Sequence, residues 1–93
     1  MIVKRPTAAA ATAQLIEFNN KMYCLKVKNL DIGEVRVTLG GEYDENNYIS
    51  IPPATTEYCY INMRKTVDAR FDKVGLWTEN KITSEVELQC IEY

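Results

Sequence analysis

The stretch YISIPPATTEYCYINM, from Tyr48 to Met63, decides the fold class. Ile49 and Ile51 alternate with Tyr48 and Ser50, and Cys59, Ile61 and Met63 alternate with Tyr58, Tyr60 and Asn62. That is the period of two expected of half-buried strands. Pro52 and Pro53 end the first run, so the two runs read as a hairpin closed by Pro52 to Thr56. Setting Ile51 against Glu57 pairs Ile49 with Cys59 on one face and Tyr48 with Tyr60 on the other, so both strands agree on a core side. The same register turns Tyr48, Tyr58 and Tyr60 outward on one sheet, where a flat ring with a polar tip suits an interface.

Outward from this stretch the pattern repeats. Leu15 to Phe18 reads as a short strand, and Phe18-Asn19-Asn20-Lys21 as a turn. From Met22 to Asn29, Tyr23, Leu25 and Val27 face in and Cys24, Lys26 and Lys28 face out; after the turn Asp31-Ile32-Gly33, Val35, Val37 and Leu39 face in until Gly40-Gly41 stops the strand. Arg64-Lys65-Thr66 interrupts the pattern before Val67, Ala69 and Phe71, and Val74 to Thr78 continues as strand with the single tryptophan, Trp77, as a core anchor in preference to an interface contact. In the last strand Val86, Leu88 and Cys90 face in. Ile91 and Tyr93 depart from the rule as large residues on the polar face, which points either to a cover over the C-terminus or to a bulge that reverses the face. About seven or eight strands without a helix indicate an all-β, antiparallel β-sandwich with Val35, Val37, Ile49, Ile51, Cys59, Ile61, Val86 and Leu88 in its core.

Residues 1–14 lack the large side chains a core element needs, with Pro6 early and a run of alanines after it, so they are expected to form an extended N-terminal arm on a sandwich spanning residues 15–93. Ninety-three residues supply one core and no more. The net charge of −2 argues against nucleic-acid binding as the main task. It is unevenly placed: residues 1–30 carry a net +4 and residues 31–57 a net −5. A basic end that docks on an acidic partner is one reading of this, and plain solvated loops are the other.

No stretch is apolar enough for a membrane helix, and the alanines after Arg5 are too short and weakly apolar for a secretory leader. Three widely spaced cysteines and no histidine suggest reduced core thiols and no zinc site, with a Cys59–Cys90 disulfide as the lesser alternative. The acidic run Glu42 to Asn47 lacks the order of oxygen ligands in a calcium loop and reads as solvated. Without histidine or an isolated carboxylate pair the chain is not expected to be an enzyme, and no cofactor is implied.

The segments VRVTLGG and YISIPPATTEYCYINM resemble small immunoglobulin-like β-sandwich proteins of tailed phages, in which an isoleucine, proline, small residue, Thr-Thr turn leads into a tyrosine-rich strand. The resemblance covers about half the chain and, with the alanine-rich arm, looks like an auxiliary or decoration protein of a phage capsid, with the crAss-like phages as a candidate group. It implies a virion protein assembled in the host cytoplasm, many copies per particle, binding the outer shell and reinforcing contacts between major capsid subunits. Lys4, Arg5, Tyr48, Tyr58, Tyr60, Ile91 and Tyr93 are the residues expected to meet the partner. The alternative is a carbohydrate- or receptor-binding module that stacks sugars on Tyr48, Tyr58, Tyr60 and Trp77.

Overall fold

The computed structural model describes residues 3–60, 70–83 and 85–91. The elements among them are all strands: β1 (Val3–Lys4), β2 (Thr7–Ala8), β3 (Gln14–Met22), β4 (Cys24–Asn29), β5 (Val35–Leu39), β6 (Ile49–Ile51), β7 (Thr55–Cys59), β8 (Phe71–Thr78), β9 (Ile82–Thr83) and β10 (Val86–Ile91). They form a first sheet in the order β1-β10-β4-β7, a second in the order β3-β8-β5-β6, and a two-stranded ribbon β2-β9. Every pairing is antiparallel.

The sheets pack face to face because each presents one apolar parity. Leu25, Val27, Cys59, Val86, Leu88 and Cys90 come from the first sheet, and Ile16, Val35, Val37, Ile51, Val74 and Leu76 from the second; all are buried in one core. Ile49 is half-buried against that core. Of the expected core residues, Ile61 lies outside the described residues.

The expected hairpin does not form. β6 pairs with β5, placing Ile49 beside Val37 and Ile51 beside Val35, whereas β7 pairs with β4, placing Cys59 beside Leu25. Pro52 to Ala54 is therefore an arch that carries the chain from one sheet to the other. Alternation dictates which side chains face the core, but two strands can both do so as neighbours in one sheet or as opponents across the interior. Proline supplies no N–H, so neither Pro52 nor Pro53 can donate to a ladder. The arch is held from inside by Asn29, fully buried at the end of β4. Its Nδ2 donates to the carbonyls of Ile51 (3.0 Å), Pro52 (3.2 Å) and Gly33 (2.9 Å), and its Oδ1 accepts from Asp31 N (2.9 Å). Ala54 adopts φ 57° to complete the crossing.

The leader is paired as well. Val3 and Lys4 lie opposite Gln89 and Leu88, Thr7 and Ala8 opposite Thr83 and Ile82, and Ala11 N donates to Thr78 O at 2.9 Å. Instead of standing off as an arm, residues 3–14 run from the edge of the first sheet to the start of the second. Edge pairing uses backbone groups, which a composition of alanine and threonine possesses as fully as any other.

Two smaller expectations also change. Phe18 to Lys21 is not a turn: β3 continues to Met22 across a register shift between Glu17 and Met22, which lets Ile16, Phe18 and Met22 all bury. Trp77 is not in the core. It stands half-buried on the outer face of the second sheet, opposite Arg36, while its neighbours Leu76 and Thr78 point inward.

Candidate functional site

The outer face of the first sheet is laid out by its registers. Facing pairs Val3–Gln89, Gln89–Lys26 and Lys26–Tyr58 make one row across all four strands; Glu87, Lys28 and Thr56 make the next. Arg5 closes that second row, its guanidinium 3.2 Å from Glu87 Oε2. Ile91 opposite Cys24 begins a third row, which Tyr60 completes through a hydrogen bond with the Cys24 thiol. β10 stays in unbroken register to Ile91, so no bulge reverses the face there.

The face combines apolar and cationic groups. Tyr58 is 54% exposed and Tyr60 41%, Val3 is exposed, and Ile91 is half-buried. Lys26 Nζ lies 5.9 Å from the centre of the Tyr58 ring, a cation–π distance that leaves the lysine charge at the surface. With Arg5, Lys26 and Lys28 against Glu85 and Glu87, the face carries a net charge of +1 in an acidic protein.

Arg5, Tyr58, Tyr60 and Ile91 are thus brought together, but Lys4 and Tyr48 are not, and Tyr93 lies outside the described residues. Lys4 has the inward parity of Leu88 and places its ammonium 5.5 Å from the Phe18 ring centre. Tyr48 sits on the opposite side of the molecule because β6 belongs to the second sheet. Tyr48 and Tyr60 nonetheless line a common cleft of about 160 Å³ with residues of β5 and β6.

On the outer face of the second sheet, Arg36 is the organising residue. Its guanidinium lies 4.6 Å from the Tyr48 ring centre and 4.7 Å from that of Trp77, and Nε donates to Glu34 Oε1 at 2.7 Å. Tyr43 stacks on Trp77 with centroids 5.8 Å apart and planes 13° from parallel. Hydrogen bonds from Ser50 and Arg36 hold the Glu34 carboxyl below its usual range, and those to Tyr43 and Glu34 keep Arg36 firmly protonated. The acidic loop folds over this sheet so closely that a Cβ on Gly75 would collide with the backbone of Glu42 and Tyr43. Its carboxylates stay exposed, and the turn is closed by Asp44 N donating to Thr38 Oγ1 (2.9 Å) and by Thr38 Oγ1 donating to Asn47 O (3.0 Å).

The three cysteines are free and buried. Burial, with Cys24 and Glu57 nearby, pushes the Cys59 thiol up to about 12, and burial raises Cys24. Among the described residues no group of three or more acidic, cysteine or histidine side chains is placed to hold a metal ion. No helix among them is long and apolar enough to cross a membrane.

Sequence reading missed Lys26 and Lys28 as members of the face, although their parity with Tyr58 follows once β4 and β7 are neighbours. No family model matches the chain, and no curated protein or solved structure matches it significantly.

Proposed function

We propose that the protein is an immunoglobulin-like docking module of a repeated assembly, an auxiliary protein on the outer surface of a phage capsid, with the outer face of the first sheet as its contact. The observation that carries this reading is the exposed pair Tyr58 and Tyr60 beside Lys26 and Lys28 on the outer face of a four-stranded sheet. Aromatic anchors supply contact area with little loss of side-chain entropy, and surrounding cations steer the face towards an acidic surface on the major capsid protein. The resemblance of the Tyr48 to Met63 stretch to phage sandwich proteins supports a phage capsid as the particle. The role is structural, with no reaction and no cofactor assigned. Many copies on one shell would raise avidity even if each contact is weak.

Co-sedimentation with undecorated capsids tests this. Tyr58→Ala with Tyr60→Ala should weaken attachment at least tenfold, as loss of two anchors of about 1 kcal/mol or more each requires. Lys26→Glu with Lys28→Glu should weaken it most at low salt. Attachment unchanged in both variants, with the fold intact by circular dichroism, overturns the assignment of this face. A second reading, sugar binding, is favoured by the exposure of Tyr58; saturable glycan-array signal lost in Tyr58→Ala would select it instead.

A further inference from the structure

We propose that β1 and β2 exchange between copies of this chain, so that residues 3–8 of one molecule pair with β10 and β9 of a second. The segment is tethered to its own sandwich by two-residue pairings at Val3–Lys4 and Thr7–Ala8, by the Arg5–Glu87 ion pair, and by Lys4 over Phe18. Each of these contacts is made equally well by the same residues of another copy. The balance between the two forms is therefore set by the hinge and by concentration.

The hinge favours opening. Residues 9–13 are all exposed, and Ala11 holds φ 52°, a left-handed conformation that disfavours an alanine by roughly 5- to 30-fold. It is kept there by its N–H bond to Thr78 O. On the side facing β3, Lys4, Arg5 and Pro6 line an open cleft of about 420 Å³ together with Gln14 to Glu17, so Lys4 over Phe18 is the contact that holds this flank to the strand it leads into. Five extended residues span about 16 Å, enough to reach an abutting copy. The opened hinge relieves the Ala11 strain, gives up the Ala11–Thr78 hydrogen bond, and keeps the contacts of β1 and β2.

The inference does not rest on the capsid reading, and the purified chain alone tests it. Val3 and Gln89 face each other in the register, so one preparation carries Val3→Cys and another Gln89→Cys, distinguished by mass. Mixed and mildly oxidised, they should yield a Val3–Gln89 disulfide between chains, well above the yield of Val3→Cys with Ser50→Cys on the second sheet. Ala11→Gly, which tolerates the left-handed hinge, should lower the cross-linked yield by about fivefold or more. Ala11→Pro, which can neither adopt φ 52° nor donate to Thr78, should raise it and shift light scattering towards a dimer. Cross-linking confined to single chains of the Val3→Cys/Gln89→Cys double variant, with mixed single variants no better than the Ser50 control, overturns the proposal whether or not the Ala11 variants fold.

Discussion

Asn29 performs a task that no apolar residue could. Its four hydrogen bonds join the end of β4, the Asp31 to Gly33 turn and the arch at Pro52, and its own side chain is fully buried. Asn29→Ala would leave the Gly33 and Ile51 carbonyls and the Asp31 N–H without this partner, the last two of them buried, and should cost about 2 to 3 kcal/mol in urea melts. Asn29→Asp should be at least as harmful, because a carboxylate cannot donate to those carbonyls. A loss below about 0.5 kcal/mol for the alanine variant would show that the arch is held by other means. Asn29 was legible in sequence only as the end of a strand, since two of the three carbonyls that recognise it, those of Ile51 and Pro52, lie more than twenty residues along the chain. Val35, Val37, Ile51, Cys59, Val86 and Leu88, by contrast, were legible as core from parity alone, and all are buried.

The elements show where parity stops being informative. The Glu42 to Asn47 loop was readable as acidic and exposed, but its fold over the second sheet depends on Gly75, three strands of sequence away. Gly75→Ala would drive a methyl group into the Glu42–Tyr43 backbone, which can give way only by lifting the loop. It should cost about 1 to 3 kcal/mol and separate Tyr43 from Trp77, changing tryptophan fluorescence and near-ultraviolet circular dichroism. Unchanged spectra with unchanged stability would mean that the loop is not seated on the sheet. The edge strands β1 and β2 were unreadable for a different reason. They bury little side chain, and a two-residue pairing leaves no period to detect.

For the molecule as a whole, the buried thiols connect packing to pH. Cys59 ionises near 12 in the folded protein but near 9 in the unfolded chain, so between those values the unfolded state binds fewer protons. Its contribution to stability is therefore complete below about pH 9 and falls as pH rises towards 12. The stability difference between the native chain and Cys59→Ala should shrink when urea melts are moved from about pH 8 to about pH 10.5; a constant difference would refute the burial-driven shift. Taken over the whole molecule, the sequence by itself determined an all-β chain, the identity of most core residues and the outward parity of Tyr58, Tyr60 and Ile91, because a strand's alternation is a local property of its own backbone. Only the tertiary structure decided which strands are neighbours. It parted Tyr48 from Tyr58, joined Tyr58 to Lys26, and laid the leader along both sheets. Two opposed sheets satisfy the same alternation as one hairpin, and the choice between them rests on long-range contacts, the pairing of β6 with β5 and of β7 with β4 and the buried amide of Asn29 on the arch, to which Pro52 and Pro53 add only a local lack of N–H donors.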